Sequence, residues 1–290
     1  MRLNQITVFG IFITLMNCNS SHNIDIQGHR GCRGLFPENS LPAFEKAIEL
    51  GVSTLELDLA ISKDRKVVVS HEPYINSLFC LDTLGGEITF EEGKAYNLFK
   101  MNYQEIKAFD CGTKQYARFP KQQKIKTYKP LLSEIFELAK AKNSNVKFNI
   151  EIKADPKYDN IYTPEPKEFV RLVLNLIEQY GVFESANLQS FDLRILEEIK
   201  KQAPKMRLSL LIDENETIED KISKLSFIPE IISPYFGLLD AETITVYQTK
   251  EIKIIPWTVN TEKDMQLMID YQVDGIITDY PGKLIEMLKK

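Results

Sequence analysis

The sequence predicts an α/β fold: a (β/α)8 barrel with a small insertion after the second strand. Short β-branched or apolar runs alternate with amphipathic segments along most of the chain, which is typical of a parallel sheet with crossover helices. Eight such units in about 265 residues favour a closed barrel over an open sheet. No Gly-x-Gly-x-x-Gly follows a strand, so a dinucleotide site is unsupported.

The strand candidates share β-branched or apolar character. They are Ile24–His29, Thr54–Ile61, Val146–Ile152, Ala186–Gln189, Arg207–Ile212, Ile228–Ser233, Ile252–Thr258 and Gly275–Thr278. The helix candidates share an amphipathic pattern. They are Leu41–Leu50, Leu131–Lys142, Pro166–Tyr180, Asp192–Gln202, Ala241–Thr249, Glu262–Tyr271 and Pro281–Leu288.

One connection does not fit a parallel crossover. Val67–Ser70 reads as a strand, yet only Ser62–Arg65 separates it from the preceding one. A parallel crossover needs a dozen or more residues, so this pair is predicted to be a hairpin. Centring it on the loop places Glu56 roughly opposite His71, to within about one residue.

Composition agrees with a globular protein. The 290 residues carry a net charge of −5, with 43% hydrophobic and 27% charged residues. A mildly acidic chain lacks the basic surface that nucleic-acid binding requires, so no nucleic-acid partner is expected. No protein partner is implied either. The length suits one barrel or two small domains.

The chain begins with a leader. Ile6 to Met16 is almost uninterrupted apolar sequence behind Arg2, too short to span a bilayer but typical of a secretory signal peptide, here residues 1–17. Leu15-Met16-Asn17-Cys18 resembles a bacterial lipobox, although Asn17 departs from it. That resemblance implies acylation at Cys18 and a membrane-anchored lipoprotein of the cell envelope, on its periplasmic or surface side. Plain secretion is the alternative.

The predicted barrel domain covers 24–290 and includes an insertion at about 74–129, which is too long for a structureless loop. With Cys18 acylated, Cys32, Cys80 and Cys111 remain. At most one disulfide can form among three cysteines. Cys80–Cys111 is one possibility, and three free buried thiols are the other.

Carboxylates cluster at two strand ends. Residues two apart on a strand share a face, so Glu56 and Asp58 point the same way in Thr54–Leu59, as do Glu151 and Lys153 after Phe148. Three carboxylates without His or Cys ligands suit a hard divalent cation, Ca²⁺ or Mg²⁺. The alternatives are solvated acids on an edge strand and a local Glu151–Lys153 ion pair.

Two histidines stand at strand ends as well. Gly28-His29-Arg30-Gly31 follows the first strand, and Ser70-His71-Glu72-Pro73 follows the hairpin. A guanidinium matches phosphate oxygens in bidentate fashion. Two imidazoles near a cation suggest an acid/base pair.

In order along the chain, these segments resemble the glycerophosphodiester phosphodiesterase family. The matching segments are His29-Arg30-Gly31, Pro37-Glu38-Asn39, Glu56-x-Asp58, the His71 turn, Glu151-Ile152-Lys153, Gln189-Ser190-Phe191, Pro256-Trp257-Thr258-Val259-Asn260 and Thr278-Asp279-Tyr280-Pro281. The resemblance covers essentially the whole chain from Ile24. It implies a TIM barrel with an insertion after its second strand, and hydrolysis of small-molecule glycerophosphodiesters to sn-glycerol 3-phosphate and an alcohol.

The resemblance also implies residue roles. Glu56, Asp58 and Glu151 would hold one divalent cation, and His29 and His71 would be general acid and base, in an order left open. Substrate-binding roles fall on Arg30, Lys153, Gln189 and Trp257, although a tryptophan at a strand end is often a core residue.

The family usually has His-Asp where this chain has His71-Glu72. Two other functions remain possible: a phospholipase-type phosphodiesterase acting on intact lipid, and a non-catalytic cell-surface binding lipoprotein.

Overall fold

The structure, a computed structural model, describes residues 23–289. The leader at 1–17 and Cys18 therefore lie outside the described residues. Eight parallel strands form a nearly closed TIM barrel with helices between them, as predicted. The barrel strands are β1 (Asp25–Gly28), β2 (Thr54–Ile61), β4 (Lys147–Ile152), β5 (Ala186–Ser190), β6 (Arg207–Ile212), β7 (Ile231–Pro234), β8 (Lys253–Ile254) and β9 (Gly275–Thr278).

The helices lie between the strands and in the insertion. They are α1 (Leu41–Leu50), α2 (Phe90–Ala95), α3 (Tyr103–Lys107), α4 (Leu132–Ala141), α5 (Pro166–Tyr180), α6 (Leu193–Gln202), α7 (Ile218–Ile222), α8 (Ala241–Gln248), α9 (Glu262–Asp270) and α10 (Pro281–Leu288). Helix α1 shows why they form here: Ser40 accepts a hydrogen bond from the Ala43 amide at its start, and Gly51 ends it with φ of 87°.

The strand order is β8-β7-β6-β5-β4-β2-β1-β9. The remaining seam, between β8 and β9, is joined by backbone hydrogen bonds rather than by a regular ladder. The Asp274 amide donates to the Ile254 carbonyl at 3.0 Å, and the Ile277 amide donates to the Pro256 carbonyl at 3.0 Å. Closure places β9 beside β1, although the two strands stand at opposite ends of the sequence.

The predicted hairpin is present, but its register differs by one residue from the prediction. Strand β3 (Val67–Val69) runs antiparallel to β2 and pairs Ile61 with Val67. Continuing that register places His71 opposite Leu57, not opposite Glu56. The loop runs from Ser62 to Lys66, one residue longer than the Ser62–Arg65 loop on which the prediction was centred.

Two barrel strands are shorter or shifted relative to the prediction, and proline explains both. Strand β7 begins at Ile231 rather than Ile228, because Pro229 precedes it and Ile228 is 67% exposed. Strand β8 contains only Lys253 and Ile254. Pro256 has no amide hydrogen to donate to β9, and Pro234 of β7 has none to donate to β8, although the Ile255 and Trp257 amides still donate to β7. Helix α7 was not predicted.

The core between strands and helices is apolar, and Leu55, Leu57 and Leu59 of β2 are fully buried in it. The segment 74–129 has a second apolar cluster of its own, around Ile75, Leu98 and Ile106. A Cys80–Cys111 disulfide crosses that segment, while Cys32 is a free, buried thiol. Among residues 23–289, no helix is both long and apolar enough to cross a bilayer.

Candidate active site

Polar side chains gather at the carboxyl ends of the barrel strands. The parallel register aligns Asp58 with Glu151 and Glu56 with Asn149, and aligns Glu151 in turn with Gln189. As a result, Glu56, Asp58 and Glu151 each offer one carboxylate oxygen, and these oxygens lie within 4.8 Å of one another. The alternation along β2 and β4 therefore brings the three predicted carboxylates together.

Burial and mutual repulsion perturb these carboxylates. Burial, with Asp58 and Glu151 nearby, raises the pKa of Glu56 well above its ordinary value. Burial also raises the pKa of Glu151 to about 7, against the opposing effect of Lys153. Burial alone would raise the pKa of Asp58, but Arg30, His71 and Lys153 outweigh it and hold that pKa well below its ordinary value. Asp58 is therefore ionised, whereas Glu56 and Glu151 lack enough nearby positive charge to favour their ionised forms.

The carboxylate cluster fits a hard divalent cation. All of its donors are oxygens, which Ca²⁺ and Mg²⁺ prefer. Asp58 Oδ1 is buried and accepts no hydrogen bond from the described part of the chain. A cation would supply both the missing partner and the missing positive charge.

The loop after β1 aims Arg30 at this cluster. Arg30 lies in the left-handed region, with φ of 51°, and Gly31 follows with φ of 88°. A Cβ on Gly31 would approach the Ala43 carbonyl carbon to 2.6 Å, so only glycine fits. The Arg30 amide donates to Glu56 Oε2 at 3.0 Å, and its guanidinium Nε lies 3.1 Å from Asp58 Oδ2.

Asp279 positions His29. The Nδ1 atom of His29 lies 2.7 Å from Asp279 Oδ1, and its Nε2 atom lies 3.9 Å from Glu56 Oε2. Burial and the nearby Arg33 lower the pKa of His29 to about 4, although Asp279 opposes them. The ring is therefore neutral at pH 7, and it directs Nε2 towards the carboxylates when Nδ1 donates to Asp279.

His71 has a carboxylate partner of its own. Its Nδ1 lies 2.9 Å from Glu72 Oε1, and its Nε2 lies 2.9 Å from Lys153 Nζ. Lys153 Nζ also lies 3.0 Å from Glu151 Oε1. Burial, Arg30 and Lys153 lower the pKa of His71. The Glu151–Lys153 ion pair considered as an alternative does form, but it extends to the imidazole.

A cavity of about 150 Å³ opens among these groups. Of the nine residues predicted for the site, eight line it: His29, Arg30, Glu56, His71, Glu151, Lys153, Gln189 and Trp257. The ninth residue, Asp58, does not line the cavity but contacts the guanidinium of Arg30, which does. Gln189 donates to Glu56 Oε1 at 2.9 Å. Trp257 is only partly buried. It lines the cavity, packs against the apolar cluster of Ile231, Ile255 and Ile277, and donates from its indole to the Ser233 carbonyl at 2.9 Å.

Several residues with no predicted role hold the site in place. Asp279 accepts from Arg33 Nε at 2.9 Å and from Asn260 Nδ2 at 2.8 Å, in addition to its contact with His29. Asn39 donates to Asp58 Oδ2 at 2.8 Å, and Glu38 accepts from Arg30 Nη1 at 2.7 Å. Asp279 was detectable in principle, because a carboxylate following the last barrel strand must lie beside the first strand.

A closed (β/α)8 barrel with a convergent polar cavity at the carboxyl ends of its strands defines a barrel enzyme. The glycerophosphoryl diester phosphodiesterase family model matches residues 29–283. A glycerophosphodiester phosphodiesterase from Caldanaerobacter subterraneus subsp. tengcongensis is 31% identical over 262 residues, covering 90% of this chain and 96% of the relative.

Solved structures agree. A Silicibacter pomeroyi protein given the same family name is 28% identical, with a TM-score of 0.84 and coverage of 92% of this chain and 93% of that one. An Oleispira antarctica phosphodiesterase, solved with the product sn-glycerol-3-phosphate, shares the fold at 18% identity and a TM-score of 0.74, over 92% of this chain and 97% of that one. The chain belongs to the glycerophosphoryl diester phosphodiesterase family.

Proposed function

We propose that this enzyme hydrolyses small-molecule glycerophosphodiesters to sn-glycerol 3-phosphate and an alcohol, using a divalent cation and two histidines. The observation that carries the proposal is the convergence of three carboxylates, two imidazoles and an arginine around one cavity. The activity in the name of the 31% identical relative supports it.

Arg30 and Lys153 are proposed to bind the phosphodiester. Arg30 is held between Glu38 and Asp58, and Lys153 between Glu151 and His71. Their charges are fixed before substrate arrives, so they stabilise the negative charge that develops on the phosphoryl oxygens without reorganising. Gln189 and Trp257 are proposed to line the side of the cavity that takes the substrate.

His29 and His71 are proposed as the acid/base pair. One imidazole, in its neutral form, takes a proton from the attacking water or neighbouring glycerol hydroxyl, and the other, in its imidazolium form, gives a proton to the departing alkoxide. Asp279 and Glu72 each accept from Nδ1 and so direct Nε2 of each ring inwards. These contacts support the assignment because an acid/base group needs a fixed tautomer and direction.

Glu56, Asp58 and Glu151 are proposed to hold Ca²⁺ or Mg²⁺. When bound, the cation would neutralise the carboxylates and add positive charge beside the phosphate. Replacing Glu56 with Gln removes one charged ligand, so calorimetric titration of the variant should show weaker binding of either metal. Unchanged metal affinity would contradict the ligand role.

The first experiment measures sn-glycerol 3-phosphate released from glycerophosphoethanolamine by the purified protein, after chelation and after adding Ca²⁺ or Mg²⁺ separately. Release that chelator abolishes and one ion restores is the expected result. A parallel sample offers diacyl phosphatidylethanolamine in detergent. Turnover of the diacyl lipid alone would favour the phospholipase-type alternative, and no turnover of either by folded protein would favour a binding lipoprotein.

Export and membrane attachment are also proposed. The signal-like leader and the lipobox-like sequence ending at Cys18 support an exported lipoprotein of the cell envelope. The Cys80–Cys111 disulfide adds support, because such bonds persist in oxidising compartments outside the cytosol. Mass spectrometry of the mature amino terminus, searching for a lipid on Cys18, tests this directly.

A further inference from the structure

A second cavity, of about 180 Å³, lies beside the first. The two cavities share four lining side chains: His71, Glu151, Lys153 and Phe191. These side chains form the boundary between the two cavities, so an alcohol esterified to a phosphate in the first cavity lies close to the second. We call this second space the flanking cavity.

The flanking cavity is built mainly by the loop that follows β4. That loop contributes Ala154, Asp155 and Tyr158, while Pro73 follows the hairpin and Ser190 ends β5. The space is well below the roughly 300–1,000 Å³ of pockets that hold drug-sized molecules. It suits a compact substituent with an apolar or aromatic contact on one side and a carboxylate on the other.

We propose that the flanking cavity binds the head group of the alcohol esterified to the phosphate, and that it favours a compact organic cation, an amine or quaternary ammonium, over a neutral polyol. This inference rests on the proposed phosphodiesterase function. The rings of Tyr158 and Phe191 offer π faces to a cation, and Asp155 offers the opposite charge.

The ammonium of Lys157, which does not itself line the flanking cavity, already contacts two of the residues that do. It lies 2.6 Å from Asp155 Oδ2 and 5.2 Å from the centroid of the Tyr158 ring. The Lys157 side chain is 68% exposed, and an exposed ion pair of this kind contributes little free energy. A substrate ammonium can therefore displace Lys157 from Asp155 at small cost.

The other cations near the flanking cavity have partners of their own. Arg194, which acts on Asp155, pairs with Asp159 and Asp192, and Lys221, beside the Phe191 ring, pairs with Glu216.

Lys153 lines the flanking cavity, but its ammonium is 3.0 Å from Glu151 Oε1 and 3.9 Å from Asp58 Oδ1. The proposed function directs this ammonium to the phosphate, which offsets its charge when substrate is bound. Asp155 is the carboxylate of the flanking cavity whose ion-pair partner, Lys157, is exposed.

The test compares kcat/KM for glycerophosphocholine with kcat/KM for glycerophosphoglycerol, measured as sn-glycerol 3-phosphate release by the full chain. We call their quotient the head-group ratio. The wild-type head-group ratio is expected to be about three or more, since an exposed cation–π contact and one carboxylate together give an effect of that order.

Three variants should move the ratio, two of them downwards and one upwards. Asp155→Asn keeps a side-chain acceptor for the Lys157 amide, since Asn caps as well as Asp, and should lower the head-group ratio about twofold. Lys157→Ala removes the competing ammonium and should raise it about twofold. Tyr158→Leu keeps apolar volume without a π face and should lower it about threefold.

Asp240→Asn is the matched control. Asp240 caps a helix by accepting from the Thr243 amide, as Asp155 accepts from Lys157, but it does not line either cavity. Its head-group ratio should equal that of the wild type. A wild-type ratio near one, or Asp155→Asn and Lys157→Ala changing it in the same direction, would overturn the head-group inference while leaving the phosphodiesterase proposal intact. Turnover of neither ester would overturn both.

Discussion

The site contains two imidazole–carboxylate pairs that look alike and are built differently. In the first pair, His29 and Asp279 are 250 residues apart and meet because β9 lies beside β1. In the second pair, His71 and Glu72 are adjacent residues at the end of the hairpin. The side chains of the first pair are 10% and 0% exposed, against 30% and 19% in the second.

The comparison shows that two pairs with similar geometry can contribute differently to the stability of the fold. Asp279 also binds Arg33 and Asn260, so the first pair is part of the closure of the barrel. Glu72 has one oxygen on His71 and a buried second oxygen without a partner in the described part of the chain. We therefore expect the first pair to support both stability and activity, and the second to support mainly activity.

Replacing either histidine should have the largest effect and should erase the difference between the pairs. His29→Ala and His71→Ala are each expected to lower kcat by roughly 10²–10⁴-fold, the usual contribution of a general acid or base. Steady-state assays with saturating metal measure this, and circular dichroism verifies folding. A loss below threefold in both folded variants would refute the acid/base assignment.

Replacing Asp279 should separate the pairs by stability. Asp279→Asn leaves the buried Arg33 guanidinium with only the longer contact to Glu38, at 3.6 Å, and breaking a buried ion pair costs about 3–5 kcal/mol. Urea unfolding should show that loss in the free energy of unfolding, together with reduced kcat. A change below about 1 kcal/mol would mean that the first pair does not support the closure of the barrel.

Acid should lower the folding stability that the neutral His29 contributes, over a defined pH range. The pKa of His29 falls from 6.5 to about 4 on folding, so below pH 6.5 the unfolded state binds a proton that the folded state does not. Stability from this residue is present above pH 6.5 and decreases as the pH falls towards 4, by about 2–3 kcal/mol.

The measurement for this pH effect is unfolding of the wild type and of His29→Gln in chelator between pH 7 and 4.5. The two stability curves should converge towards acid pH, because the glutamine cannot titrate. Parallel curves would show that the neutral ring contributes no pH-dependent stability.

Replacing Glu72 should have the smallest effect and sharpen the contrast. Glu72→Gln keeps an acceptor for His71 Nδ1 but removes the charge, so kcat is expected to fall about tenfold, as for other residues that orient a functional histidine. The free energy of unfolding should change by only about 1–2 kcal/mol. If Glu72→Gln were as destabilising as Asp279→Asn, the two pairs would be structurally equivalent after all.

The sequence was sufficient to predict the barrel and the convergence of Glu56, Asp58 and Glu151, because both follow from period-two alternation on parallel strands. It also predicted that His29 and His71 lie at the same cavity, while their catalytic roles stay a prediction. The hairpin register differed by one residue from the centred one, because Lys66 also belongs to the loop and moves its centre to Asp64. Strands β7 and β8 were overextended, because Pro229 and Pro256 interrupt apolar runs that otherwise read as continuous.

No structural role was predicted for Asp279, Arg33 or Asn260, for a different reason. Their contacts depend on which strands meet at closure and on how far each side chain reaches across the seam. Local sequence pattern carries neither kind of information. The Cys80–Cys111 pairing was likewise one of two open possibilities, because pairing depends on how the insertion folds rather than on cysteine spacing.

The insertion leaves and rejoins the barrel at nearly the same point. Val68 bridges Leu131, and the Val69 amide donates to the Pro130 carbonyl at 2.7 Å. A segment whose two ends are already joined can be exchanged for another of different length without changing the span between its attachment points. The barrel can therefore accept grafted segments here while His71, on the near side of the junction, keeps its place. This junction is therefore a suitable place to exchange the insertion when the access to the active-site cavity is to be changed.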